Sequence, residues 1–432
     1  MGLADDEDPA RATVARGYPN RSYSPARLRD WYHFIQQLDE SYFVEMRRFL
    51  KEDLGVKCPV TGTIGLGPLG TLSQSKMDFV DSHAYWDHPR FTHGNWSNTD
   101  WTEKNQPMVD NPADGTLWAL AATRVLGKPF TVTEYNHSAP NDWQAECVPM
   151  IASFASAQDW DAVFLFAYSH DNRYKTKDHT VSFFDFEGNP QKMNLLPIGA
   201  RIFLGGAVKP LSARRIVYAS DQQMMGTASK DYYDIWPFAR DVLGVTPAEL
   251  MSSRVYLSFE GAGADARPES AGSVIQWTGD GPGTGTGRFI VRDPGAAVFV
   301  GFANGPLPVD LGDVRIERLQ TPFATLTVVP TEPAAKLESA KRLLITAVAR
   351  GGNTGMQWDA SRHTVRDHWG SAPPLVEVVR ASISIAGNRP VTVYALTPDG
   401  SRGEKMPPRQ EKGRTIIDLG SVDTIWYELE RQ

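Results

Sequence analysis

The chain holds 432 residues, 41% hydrophobic and 22% charged, a composition that excludes wholesale disorder and leaves room for more than one core. Acidic residues number 51 against 44 basic ones, a net charge of −7 with no Lys/Arg block, so neither nucleic acid nor an anionic membrane is an expected partner. No apolar run reaches the roughly 18 residues of a membrane span, and the opening Met1–Asp8, MGLADDED, lacks the basic and apolar regions of a secretory signal.

Two cysteines, Cys58 and Cys147, are too few for a disulfide framework or a cysteine zinc site. A single bridge and a pair of buried thiols both remain open. The 12 Trp, 14 Tyr and 19 Phe fit either an aromatic core or flat apolar surfaces for sugar rings.

In chain order, Ser24 and Pro25 start a helix, and Leu28, Trp31, Ile35, Leu38, Tyr42, Met46 and Phe49 recur at helical spacing before Gly55. Val56–Thr61 is predicted as a buried strand, followed by a glycine-rich loop to Gly70. Asp78–Trp86 reads as a second strand with polar and aromatic residues at its end. A long Trp-, Asn- and Pro-rich loop, Asp87–Asn111, follows. Thr116–Leu126 is helical, Pro129–Asn136 a third strand, Trp143–Ala157 a helix, Asp161–Tyr168 a fourth strand and Leu195–Leu204 a helix. Repeated β-α units with near-continuous apolar strands imply a parallel sheet covered by helices, with chemistry at the strand C-termini.

Near residue 205 the pattern changes. From Arg215–Ala219 and Arg254–Phe259 through Thr424–Leu429, short strand-like runs separated by Gly, Pro and Asp predict an antiparallel β-sandwich, interrupted by a helix near Tyr232–Leu243. The expected domains are therefore 1–205 and 206–432. Gly279–Gly287, GDGPGTGTG, lacks the Lys-Ser/Thr ending of a phosphate loop and reads as a hairpin connection.

Glu134 ends an apolar strand and is followed by Tyr135, Asn136 and His137. A carboxylate there either faces a cleft as a nucleophile for an anomeric carbon or is satisfied by local hydrogen bonds. His83 and Tyr85 alternate onto one face of the preceding strand, able to hold such a carboxylate or to sit in the core. Trp86, His88, Trp96 and Trp101 lie in or beside the long loop, to stack on sugar or to anchor the loop itself. His83, His88, His93 and Glu134 lack helical zinc spacing, so no metal is expected. No Gly-x-Ser-x-Gly elbow occurs, and Cys58 has no partner pattern, which argues against serine or cysteine hydrolysis.

The strand ends DSHAYW (Asp81–Trp86), FTVTEYN (Phe130–Asn136) and FLFAYS (Phe164–Ser169) resemble the sixth, seventh and eighth barrel strands of clan-A retaining glycoside hydrolases, the cellulase-like and β-galactosidase-like enzymes. The resemblance covers about residues 56–205. It implies strands five to eight of a (β/α)8 barrel, Glu134 as nucleophile, His83 and Tyr85 as the His-x-Tyr pair and Tyr168 at a position where many members carry an aromatic residue, often Trp; Trp86, His88, Trp96, Trp101, Asn136, His137 and Tyr168 are the expected substrate contacts. The implied substrate is an oligo- or polysaccharide, with no cofactor. The clan's acid/base Glu, usually in an Asn-Glu pair on the fourth strand, has no counterpart in residues 1–23. The resemblance therefore implies a half-barrel joined to an accessory sandwich, impaired on its own. Self-association, a partner chain carrying the other half, and a non-catalytic carbohydrate-binding role are the alternatives.

Overall fold

The computed structural model describes residues 5–14, 23–94, 96–171, 177–227, 234–260 and 273–432. Helix α1, Pro25–Arg48, starts where expected. The Ser24 hydroxyl accepts from the Arg27 N–H, and Pro25 occupies the first turn, where no backbone donor is needed. Its apolar stripe is only partly buried: Leu28 is covered, whereas Phe34, Leu38 and Tyr42 are exposed.

The expected strand at Val56–Thr61 does not form. Gln74, the last residue of α2 (Pro68–Gln74), supplies the reason. Its side-chain oxygen accepts the Asp81 N–H at 2.7 Å, and its nitrogen donates to the Asp81 carbonyl at 3.1 Å. Those backbone groups lie on the outer edge of β1 (Val80–Trp86), where a neighbouring strand would bind them. The 56–61 segment is tied instead by its Val60 N–H to the Asp78 carboxylate and its Thr61 hydroxyl to the Phe79 carbonyl.

Three strands, not four, therefore make the first parallel sheet: β1, β2 (Phe130–His137) and β3 (Ala162–Leu165), in that order. The helices α3 (Thr116–Thr123) and α4 (Cys147–Gln158) connect them. Alternation sends Val80, Ala84, Phe130, Val132 and Tyr135 into a core with Trp118 and Phe154 of those helices. The opposite face carries Asp81, His83, Tyr85 and Glu134. The last predicted strand ends early, at Leu165. Beyond it Ala167 and Tyr168 bond the backbone of Phe184, Phe186 and Glu187 instead.

Two runs predicted for the sandwich are corrected. Strands β4 (Arg214–Tyr218) and β5 (Arg254–Ser258) pair in parallel with each other, and Leu257 bridges in parallel to Val125 after α3. Helices between them provide the crossover that parallel pairing requires.

The remaining chain is antiparallel. An eight-stranded sheet runs, in spatial order, through Arg402–Met406, Val391–Leu396, Trp426–Arg431, Arg342–Val348, Phe323–Pro330, Ala296–Phe302, Arg288–Asp293 and Ile275–Thr278. A five-stranded sheet, built around Val314–Leu319, Ala381–Ala386 and Arg414–Leu419, shares an apolar cluster with it. Strands Ala296–Phe302 and Phe323–Pro330 are buried on both faces. Ala297, Phe299, Leu326 and Val328 meet the five-stranded sheet. Val298, Val300, Phe323 and Val329 join the core beneath α4. The apolar core is thus continuous across residue 205. The molecule is mixed α/β, with a large antiparallel sheet and a few parallel strands.

Cys58 is exposed and Cys147 buried; both are free thiols. Among the described residues, no helix is long and apolar enough to cross a membrane.

Candidate active site

Strands β1 and β2 stay in register until Ser82 pairs with Val132; the next pair is His83 with Glu134. Thr133 is the extra residue of this bulge. Bulges re-aim side chains, and this one brings both Thr133 and Glu134 against the His83 ring. His83 Nδ1 lies 3.2 Å from Glu134 Oε2, and Nε2 lies 2.8 Å from the Thr133 hydroxyl. The Tyr85 hydroxyl donates a short hydrogen bond to the same Glu134 Oε2. Two side chains from β1 therefore hold one carboxylate oxygen. Glu134 Oε1 has no hydrogen-bond partner among the described residues, and the side chain is 30% exposed.

Asp81 anchors this arrangement from below. Its carboxylate accepts from the Thr131 hydroxyl at 2.6 Å and from the Thr133 hydroxyl and N–H at 2.5 and 3.1 Å, and His83 Nε2 is 3.3 Å away. Burial pushes this carboxyl upward, but the bonds from His83, Thr131 and Thr133 together outweigh it and hold Asp81 below the usual range. For Tyr85, burial and then the Glu134 charge both push the phenol upward, so the hydroxyl keeps its proton and donates it. A cavity of about 400 Å³ opens along the edge of β1 that Gln74 caps, lined by Asp81, His83 and Tyr85 and by Thr116, Asp234 and Trp236. That volume falls within the ~300–1,000 Å³ of small-molecule sites.

An aromatic path leads away from Glu134. The Tyr85 ring lies 5.7 Å from His88, and His88 lies 6.1 Å from Trp96. Trp96 is 61% exposed. Phe166 and Phe184 also pack on Tyr85 at 6.0 and 5.1 Å, and Phe184 touches His88 at 5.2 Å. Sequence reasoning thus identified Glu134, His83, Tyr85, His88 and Trp96, and the structure brings them together.

Four other expected substrate contacts are corrected, being committed to structural partners. Trp101 is 2% exposed, packed edge-on to Phe183, with its indole N–H on the Asn98 and Arg366 carbonyls; it anchors the loop. Asn136 is fully buried, its amide bound to the Phe166 and Phe184 carbonyls and to Lys192. His137 faces the helix side with Tyr135, two residues back, whose hydroxyl lies 2.8 Å from His137 Nε2. Burial and the nearby Lys192 keep the imidazole of His137 neutral. Trp86 likewise alternates away with Ala84 and fixes the loop through the Gln106 carbonyl. Tyr168 is exposed at the end of the fourth predicted strand, with no side-chain hydrogen bond or ring contact among the described residues.

Asp81, Thr133 and Gln74 were missed. Asp81 carried a usable signal, since it sits two residues before His83 on the same face of one strand. Among the described residues, no group of three or more His, Cys, Asp or Glu side chains is placed to hold a metal ion. No protein-family model matches the chain, and no curated protein matches it with significance.

Proposed function

We propose that the chain is a retaining glycoside hydrolase component in which Glu134 is the nucleophile. The observation that carries this reading is the asymmetry of its carboxylate. Tyr85 and His83 fix Oε2, while Oε1 carries no hydrogen bond among the described residues at a partly exposed strand end; Tyr85 and His83 also line the cavity of about 400 Å³. Attack of Oε1 on an anomeric carbon expels the aglycone oxygen and leaves a glycosyl ester, which water then cleaves. The Tyr85 hydroxyl and His83 ring hold the attacking group in one rotamer, so little orientational freedom is lost on reaction.

Retention calls for a second carboxyl group about 5–5.5 Å from the nucleophile. Among the described residues the carboxylate sharing a partner with Glu134 is Asp81, and its two oxygens are committed to Thr131 and Thr133. It is not available as the acid. The three parallel strands β1–β3 are best read as part of a (β/α)8 barrel whose inward face lacks cover, with Phe164 on β3 58% exposed. The two antiparallel sheets form its accessory sandwich. With Asp81 committed, the proton donor is assigned to a partner half-barrel or a second copy, and substrates with good leaving groups bypass that need.

The test is covalent labelling. Dinitrophenyl 2-deoxy-2-fluoro-β-glycosides of glucose, galactose, xylose and mannose are incubated with the full chain, which is then digested and weighed. One equivalent of sugar on the Glu134 peptide, absent in Glu134→Gln, is expected. Absence of label with every glycoside, or label on another residue that persists in Glu134→Gln, would overturn the assignment.

A further inference from the structure

A second cavity, about 360 Å³, lies at the far end of the aromatic path from Tyr85. Trp96, Asn98, Phe183, Asp367 and Trp369 line it, so it is built jointly by the long loop after β1 and by a segment more than 250 residues later in the chain. Its composition is distinctive. Two indole rings line it together with an amide and a carboxylate, the pairing that flat-faced, hydroxyl-edged sugar rings need.

The platform is pre-organised. Trp96 has a left-handed backbone, φ 65°, which a bulky residue adopts only under constraint. Its ring is braced by Phe91 at 5.4 Å, Phe184 at 6.0 Å and His88 at 6.1 Å, yet most of its surface remains open. The second indole of the lining, Trp369, is fixed by Phe183 at 5.5 Å and Trp101 at 5.9 Å. Glu103, adjacent in the loop, bonds its N–H to the His363 carbonyl, clamping the two segments together. The Asp367 carboxylate is 63% exposed, and the Asn98 side-chain amide has no intramolecular partner among the described residues. A core contact would hide Trp96, which stays 61% exposed.

We propose that this cleft is a distal glycosyl-binding subsite, which receives a sugar unit of the substrate beyond the one held at Glu134. This rests on the glycosidase reading for its register but not for its chemistry. The subsite makes the chain select oligosaccharides over mono- and disaccharides, and it makes the C-terminal region a contributor to specificity.

Calorimetric titration of the full chain with cellotetraose, xylotetraose, mannotetraose and β-1,4-galactotetraose, each against its disaccharide, provides the test. One tetrasaccharide is expected to bind at least about tenfold more tightly than its disaccharide. Trp96→Ala should remove most of that advantage, on the order of tenfold for truncating an exposed aromatic anchor, and Trp96→Tyr should restore part of it. The exposed Asp367→Ala gives a second reading that does not perturb packing. Equal affinity for all lengths, affinity unaffected by both variants, or no binding by any probe would overturn the subsite. Glu134 labelling is read separately. Length-dependent binding without labelling keeps the subsite and removes the hydrolase, whereas labelling without length dependence does the reverse.

Discussion

Tyr85→Phe removes one hydroxyl and isolates the contact on which the proposed chemistry depends. The ring is held by Phe184, His88 and Phe166, at centroid distances of 5.1, 5.7 and 6.0 Å, and phenylalanine keeps all three. What is lost is one hydrogen bond to a carboxylate, worth about 1.5–3 kcal/mol. At about 1.36 kcal/mol per decade, that converts to a roughly 10- to 150-fold slower glycosylation of Glu134 if the bond is fully used in orienting the nucleophile. Because Glu134 is partly exposed and His83 Nδ1 stays on the same oxygen at 3.2 Å, the lower half of that range is expected. The same sharing predicts non-additivity. His83→Ala and Tyr85→Phe remove donors to one atom, so the double variant should differ from the sum by more than about 0.5 kcal/mol. The assay is the pseudo-first-order rate of label incorporation by intact mass, with the melting temperature as control, expected to move by no more than about 2–4 °C. Labelling of Tyr85→Phe at the parent rate, or strictly additive effects of the two substitutions, would refute the reasoning.

Burial of Glu146, whose carboxylate accepts the Met108 and Val109 N–H groups, pushes it up to about 8. The folded state therefore holds this proton more tightly than the unfolded chain. Its stabilisation is complete below the ordinary glutamate range and is lost as pH rises toward 8, by at most about 5 kcal/mol. Burial lowers Lys192 to about 8, which works in the opposite direction above that pH, so urea midpoints should pass through a minimum near pH 8. Glu146→Gln should flatten the limb between about pH 6.5 and 8, since at lower pH the buried neutral His137 works in the opposite direction, and an unchanged slope there would count against the assignment. Asp110→Ala should cost about 2–3 kcal/mol and open the 279–287 loop to proteolysis, because that buried carboxylate accepts the Gly285 and Gly287 N–H groups at 2.8 and 2.7 Å. Equal digestion rates of the two proteins would sink that account. The exposed apolar residues of α1, with Phe164 on the open sheet face, predict self-association at micromolar concentration in sedimentation velocity. A monomer that binds no hydrophobic dye would show that this face needs no partner.

The sequence determined more of the C-terminal half than of the site. Strands such as Val314–Leu319 and Val391–Leu396 were legible to the residue, because alternation in a half-buried strand and turn residues at its ends are local signals. Local pattern also placed Glu134, His83 and Tyr85 on adjacent strand ends. It did not disclose that Val56–Thr61 stays irregular, since the Gln74 amide that occupies the β1 edge is a tertiary competitor invisible to any window of the sequence. Nor did it show that Arg215–Ala219 and Arg254–Phe259 belong with the parallel strands, because pairing direction follows from where the intervening helices pack. Within the site, alternation placed His83 and Tyr85 on one face, but His137 was expected among the substrate contacts and instead faces the helix side with Tyr135. Only the structure decided that Asn136 spends its amide on backbone carbonyls and that Trp101 is an anchor while Trp96 is open. Exposure is a property of what packs around a side chain, and for these residues the neighbours, Phe183, Lys192 and Trp369, arrive from distant parts of the chain.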